Sequence, residues 1–471
     1  MNKLYAFEKK HPFLYEILIN GFEVYLPLRG YVDAILTQSN KSDEQALAYT
    51  EKKGKWYARR ILDSFFKFSK LKKKKTLIFT SSMYRRDDGR NLAVEYLLEQ
   101  YPDGAVFEWP SRVDAYDRAY FADPQKDKYC PMEWYILRYK LRTKLTRKKW
   151  QKWAQECAVQ LQAGFAGKEP ETEEERQAID YLLTQMPQSY AATACSQELF
   201  RKLFKKYKNI RYAIDFWGSA RENIIPVLPG KPESIELQHG IITNYHPGYM
   251  YPDFVRNCNT DFFKRTLLVY GEKTKSQLVE GSIFTAEQIR VIGNPRIKMY
   301  KKCFAPRETD RKLLLFASQP YEQDGVASGY YDTVIGYLEK VQDMLEIDPA
   351  WAGYQLGIKL HPRENNGVAE LYEKALPGVK VYDNASQLYT LLAESFVQLT
   401  VSSTSLYEAA EFDTPTIITY FEGQDPERIF GFLPRAAQDG QGLCNELNRL
   451  LDGDERNAYI QELKENTKQY M

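Results

Sequence analysis

Residues 399–421 read LTVSSTSLYEAAEFDTPTIITYF. The apolar run Phe396–Val401 has the length of a buried strand, and it stops at three hydroxyl residues, Ser402, Ser403 and Thr404. A helical pattern follows from Leu406 to Glu411, and a second apolar run, Thr416–Tyr420, comes directly after Pro415. Strand, turn, helix and strand in so short a stretch form the βαβ unit of a parallel sheet. The turn also suggests a chemistry. Free backbone N–H groups and hydroxyls at a helix start attract an anion, and ordinary capping by Ser403 or Thr404 uses the same groups. Glu408 lies about one turn into the helix. There a carboxylate either reaches a ribose diol or sits on the helix surface.

Upstream, the same rhythm continues. Strand candidates are Leu313–Ala317, Leu356–Leu360 and Val379–Tyr382, with helical patterns at Tyr330–Leu345 and Ser386–Glu394. A charged stretch holding Pro295 and Pro306, near Asn294–Arg311, reads as a boundary. Before it comes a first series: Thr76–Phe79, Ala105–Trp109, Tyr212–Phe216, Ile235–Gln238, Thr266–Tyr270 and Ile289–Ile292, with a helix over Arg90–Glu99. A Lys/Arg/Trp-rich helical stretch and the polar segment Gly164–Arg176 interrupt this series, and Thr172 with Glu175 resembles a capping box. The expected fold is α/β. It has two doubly wound Rossmann-like domains with a cleft between them, N-terminal helices and a helical insertion. The expected divisions are 1–70 (basic helices), 71–300 (with the insertion at about 110–195), 301–440 and a helical tail, 441–471.

The 471 residues carry 65 basic and 63 acidic side chains, a net charge of +2 that gives no general affinity for nucleic acid. Locally the balance differs. Lys52, Lys53, Lys55, Arg59, Arg60, Lys67, Lys70 and Lys72 to Lys75 form one basic stretch; Arg138, Arg142, Lys144, Arg147, Lys148 and Lys149 form another. Such stretches are solvated helix faces or contacts to an anionic membrane surface or phosphorylated acceptor. Six scattered cysteines without a CxxC pair suit a reducing compartment. Met1 leads into a charged segment unlike a signal peptide, so a cytoplasmic protein is expected. Residues 12–36 are apolar but broken by Asn20, Glu23 and Arg29, which argues against a membrane span and leaves room for peripheral contact.

Four histidines are present: His11, His239, His246 and His361. His239 follows a strand in ELQHG, and His361 follows one in KLHPR. Ligands of open α/β sheets bind outside the carboxyl ends of strands, so both stand where proton transfer or hydrogen bonding to a ligand is expected. Pro362 extends the backbone at the exit, and Arg363 adds a guanidinium suited to phosphate. Asp87–Asp88–Gly89 lies after the first strand, where a carboxylate serves as general base or as turn and cap. Gly240 permits close backbone approach, and His246 lies in a loop HPGY. There is no Walker A loop, GxSxG elbow or HExxH, and Asp87–Asp88 is not a DxD motif. No metal and no cofactor is therefore expected.

Taken in order, strand–DDG–helix, QHG, GNPR, HPR and SST…E resemble the metal-independent GT-B enzymes of bacterial surface-polymer synthesis. These include sialyltransferases, capsule Kdo transferases and CDP-glycerol glycerophosphotransferases. The resemblance covers about residues 76–425. The sialyltransferase pattern implies that Asp88 is the base and that His361–Pro362 and Ser402–Ser403–Thr404 hold a CMP moiety. The glycerophosphotransferase pattern matches His239–Gly240, Gly293 with Pro295–Arg296, and His361–Pro362. Its TDYSS string is replaced here by TVSST, with Val401 at a polar position. The implied activity is sugar transfer from a nucleotide-activated donor, CMP-linked before CDP- or UDP-linked, to a surface glycan or glycolipid. Alternatives are polyol-phosphate transfer, nucleotide-sugar 2-epimerisation, and a non-catalytic membrane-associated scaffold.

Overall fold

A computed structural model describes residues 3–37, 55–111, 114–216, 220–257, 263–304, 311–323, 328–361, 363–364, 366–383, 387–422 and 424–471. The chain divides into two compact units, Met1–Gly293 and Asn294–Met471.

In the first unit a two-residue hairpin pairs β1 (Leu18–Ile19) with β2 (Phe22–Glu23). The main sheet is β3 (Thr76–Ser81), β4 (Gly104–Trp109), β5 (Tyr129–Pro131), β6 (Tyr212–Phe216), β7 (Glu233–Leu237), β8 (Thr266–Val269) and β9 (Ile289–Val291). Its order is β5-β4-β3-β6-β7-β8-β9, parallel throughout. β3 is buried along its whole length, and Leu77, Ile78 and Phe79 form its apolar run because both of its faces are covered. Leu77 and Phe79 join Phe107, Phe200 and Phe204 on one side; Ile78 joins Val106, Val94 and Leu97 on the other.

The second unit holds β10 (Leu313–Ala317), β11 (Gln355–Lys359), β12 (Lys380–Tyr382), β13 (Ser395–Thr400), β14 (Thr416–Thr419) and β15 (Ala436–Ala437) in the order β12-β11-β10-β13-β14-β15, again parallel. Both sheets therefore start centrally, run outward one way, then return to run outward the other way. This is the doubly wound order, with its switch point at β3/β6 in one unit and β10/β13 in the other. Two Rossmann-like α/β units, with N-terminal helices and a helical insertion, are what the GT-B reading expected.

The insertion begins later than its expected start near residue 110. Tyr129–Pro131 is a sheet strand, and the uninterrupted helices are Glu133–Leu145, Arg147–Phe165 and Glu173–Phe204. A three-residue edge strand ending in proline has no readable periodicity, and proline is tolerated only at such an edge. Thr172 caps the long helix by accepting from the Glu175 N–H at 3.2 Å, while Glu175 reaches back to the Glu171 N–H at 2.8 Å. The expected N-terminal helical region belongs to the core of the first unit. Leu4, Leu14, Val32 and Leu36 pack with Leu182 and Met186 of that long helix. Lys52 and Lys53 lie outside the described residues. No described helix is long and apolar enough to cross a membrane.

Candidate functional site

In the second unit three neighbouring strand exits carry the candidates: β11 leads to His361, β10 to Ser318–Tyr321, and β13 to Ser402–Thr404. His361 is half-buried. Its backbone N–H donates to Glu364 Oε2 at 2.5 Å, and the Glu364 N–H returns to the His361 carbonyl at 2.9 Å. These two bonds tie His361 to Glu364; Pro362 lies outside the described residues. The Arg363 N–H donates to His361 Nδ1 at 3.2 Å. Nδ1 is thus an acceptor, and the ring proton of the neutral imidazole sits on Nε2. Burial, followed by the nearby charges of Arg363 and Lys359, pulls the His361 pKa down to about 3. The ring is neutral at physiological pH, a donor rather than a cation. The Arg363 side chain is exposed.

Glu364, which the sequence reading passed over, is the hub of this edge. It is 1% exposed and accepts from Ser318 Oγ at 2.8 Å and Tyr331 OH at 3.0 Å as well as from the His361 N–H. Ser318 also bonds Tyr372 OH at 2.9 Å, and its own N–H donates to the Lys359 carbonyl at 3.0 Å. Lys359 is buried, which lowers its pKa to about 8; its ammonium donates to the Leu360 carbonyl at 2.6 Å. Two signals pointed here: Glu364 follows HPR directly, and Ser318 stands one residue past a strand end.

At the switch point Thr400 Oγ1 donates to the last carbonyl of β10, Ala317, at 2.9 Å, and accepts from the Ser403 N–H at 3.3 Å. Ser403 Oγ accepts from both the N–H and the hydroxyl of Ser405, at 3.3 and 2.8 Å, while Gln398 bonds Ser405 from beneath. Tyr321 and Ser402 join their hydroxyls across the switch point. The helix Ser405–Glu411 follows; Thr404 precedes it, exposed, and its side chain makes no cap bond. Val401, at the position where the glycerophosphotransferase pattern is polar, is buried in the core of this unit.

Glu408 does not sit loose on the helix surface. Its Oε1 accepts from Arg296 at 2.9 Å and from Tyr389 OH at 2.7 Å. GNPR therefore has a local explanation. Gly293 takes φ +72°, Asn294 caps the helix Pro295–Cys303 by accepting from the Arg296 N–H at 3.0 Å, and Arg296 pairs with Glu408.

The first unit carries the other candidates. Asp88 is exposed and turned back on its own loop, accepting from the Arg90 N–H at 3.0 Å and pairing with Arg86 at 3.3 Å. Asp87 is exposed beside it. The helix cap expected of this acidic pair falls instead to Asn91, which accepts from the Val94 N–H at 3.3 Å. Gly89 is obligatory. Its φ is +86°, and a Cβ there would lie 2.4 Å from the Asp123 nitrogen and 2.5 Å from the Ala119 carbonyl. His239 is half-exposed after β7. Gln238 braces that turn, donating to the Gly240 carbonyl at 2.8 Å and accepting from the Tyr270 N–H at 2.7 Å. His246 accepts from the Gly248 N–H at 3.1 Å and packs its ring 5.0 Å from Tyr249, the role of a turn residue. Arg29, read as a break in an apolar run, is a buried clamp on this loop. It donates to the carbonyls of Pro247 and Met250 at 2.5 Å and pairs with Glu8.

No family profile matches this chain, and no curated protein does. Among solved structures it is similar to the S. aureus MnaA–UDP co-structure, at 12% identity over 84% of this chain and 92% of that one, with a TM-score of 0.47. It is similar to UDP-GlcNAc 2-epimerase from Neisseria meningitidis bound to UDP-GlcNAc, at 12% identity over 82% and 93%, with a TM-score of 0.46. The wall teichoic acid polymerase TagF is similar at 14% identity over 94% of this chain and 92% of its own, with a TM-score of 0.47. Likeness this remote says nothing of substrate or reaction.

Proposed function

We propose that this chain is a cytoplasmic glycosyltransferase that moves a sugar from a nucleotide-activated donor, CMP-linked in the first instance, to a surface glycan or glycolipid acceptor, without a metal or cofactor. The donor binds the second unit. The observation that carries this reading is the edge of its sheet. There a neutral imidazole with its proton on Nε2 stands one strand from a switch point lined by Ser402, Ser403 and Thr404. Hydrogen-bond donors fixed in advance lower the cost of a developing negative charge because they need no rearrangement as it forms. In this scheme His361 Nε2–H and the hydroxyl turn hold the phosphate that departs with the nucleotide, and Arg363 supplies the positive charge. Asp88 or His239 takes the proton of the acceptor hydroxyl.

A thermal-shift panel with CMP, CDP, UDP and GDP tests the donor. A selective response to the cytidine nucleotides is expected; a selective GDP response refutes the donor assignment. His361→Ala should weaken the response about tenfold, the loss of one hydrogen bond to a charged group. Because the imidazole of the free protein is already neutral, His361's share of the binding should persist as pH falls through 6.5. If His361 instead titrates near 6.5 in imidazole NMR, with binding following it, it acts as a cation and the donor role is wrong.

A further inference from the structure

The helix Lys55–Lys70 turns a mixed side inward, with Phe68 packed against Phe107 and Phe204. Arg60 and Ser64 are buried, whereas Ala58, Leu62, Phe65, Phe66 and Ser69 face solvent. Leu62 and Phe66 are 60% exposed and Phe65 is 52% exposed. The cause lies beneath. Arg60 is drawn into the interior by Glu108 at 3.0 Å and by Glu133, so the helix must present its opposite, apolar face outward. The helix Glu133–Leu145 packs beside it, with the Trp134 ring edge-on to Phe65 at 5.3 Å. Leu141 and Leu145 continue the same helical face as Trp134, and Leu145 is 86% exposed. Single exposed apolar side chains are ordinary; a connected series across two packed helices marks an interaction surface.

The exposed charges of the two helices are basic, and Glu198 of the long helix pairs with Arg142 and Lys149 beside them. Exposed Arg59 and Lys70 flank it on the first helix, and exposed Arg138, Lys140 and Lys144 on the second. The two helices hold only two acids, Asp63 and Glu133. Glu133 is buried against Arg60, and Asp63 is engaged by Lys67 at 3.3 Å and by Tyr120 OH at 2.6 Å. A second copy meeting this face would set like charges against each other.

We propose that this ridge docks the protein on an anionic lipid bilayer. Leu62, Phe65, Phe66, Trp134, Leu141 and Leu145 enter the boundary between headgroups and acyl chains, and the cationic rim meets the lipid phosphates. The proposal does not depend on the transferase reading, and its test needs no activity. The full chain is sedimented with phosphatidylcholine vesicles, with and without phosphatidylglycerol. Binding is expected with phosphatidylglycerol and should weaken as salt is raised. The variant F65S/F66S should lower partitioning about tenfold or more, and L141S/L145S should do the same through the other helix. R138E/K144E should lower it about fivefold or more per charge. All these side chains are exposed, so melting temperatures should stay close to the parent's. No binding to phosphatidylglycerol vesicles overturns the proposal. So does unchanged binding by both serine variants, which would reduce the effect to diffuse charge. A dimer, or capture of an acidic protein, that the serine variants abolish while vesicle binding persists would assign the ridge to a protein and overturn it equally.

Discussion

At the exit of β3 the chain is held by full charges; at the exit of β10 it is held by hydroxyls. Arg85, just past β3, lies buried between Glu108 at 2.6 Å and Asp123 at 2.6 Å, and also donates to the Gly89 carbonyl. Arg60 bridges Glu108 and Glu133 behind it. Among the described residues, the corresponding edge of the second unit has one buried carboxylate, Glu364, served by two hydroxyls and a backbone N–H. The ionic cluster spends its charge on itself and fixes the loop that carries Asp88. The hydroxyl cluster organises the turns around His361 and Ser402, and the cation beside them is Lys359, whose pKa burial lowers to about 8. One edge holds its own loop with charge; the other keeps a neutral imidazole and hydroxyls at its exits, as the proposed phosphate site requires.

The largest effect should come from breaking the charged side. Arg85→Met leaves Glu108 with Arg60 alone and takes the guanidinium from buried Asp123, and should cost about 3–5 kcal/mol of stability, because the Asp123 charge stays buried without its partner. Urea unfolding measures it. A loss below about 1 kcal/mol would mean that water or rearrangement relieves the cluster, and the contrast between the edges would fail. Glu364→Ala on the hydroxyl side should cost less, about 1–3 kcal/mol, the penalty of stranding buried donors. It should also weaken the nucleotide-induced thermal shift, by up to the roughly tenfold expected of His361→Ala, since the His361 N–H loses its acceptor. Glu364→Gln keeps an acceptor for the His361 N–H and should recover much of that shift. If Ala and Gln behave alike, Glu364 is packing and not a positioning residue.

These edges were unequally legible in the sequence. Leu313–Ala317 and Tyr212–Phe216 stand where their apolar runs predicted, because a strand covered on both faces needs an unbroken run of such residues. His361 and Ser402–Thr404 are singled out by one rule, that ligands gather at strand exits, and the structure places them on exits flanking β10. Glu364 and Arg85 escaped because their importance lies in partners far along the chain: Glu364 meets Ser318 and Tyr331, and Arg85 meets Glu108 and Asp123. Periodicity describes a residue's own element and is silent on such pairings. Glu408 was legible as a carboxylate near a helix start, but not as the partner of Arg296, 112 positions away. Arg29 and Arg60 show the same limit from the other side. Each reads as a polar break or a solvated charge, and each is buried through a remote counter-ion.

The smallest effect on stability should come from Asp88→Asn. Asp88 is exposed, and the bond that shapes its loop runs from the Arg90 N–H to Oδ1. An asparagine oxygen accepts that bond equally well, and the exposed pair with Arg86 at 3.3 Å contributes little in water. Stability should therefore stay within about 0.5 kcal/mol of the parent, and the nucleotide response of the second unit should be unchanged. If Asp88 is the base that accepts the proton of the acceptor hydroxyl, turnover with a cognate donor should nonetheless fall about 100-fold or more, with the loss in kcat and not in donor affinity. Unchanged turnover would transfer the base role to His239, and His239→Gln would then show the kinetic loss that Asp88→Asn does not.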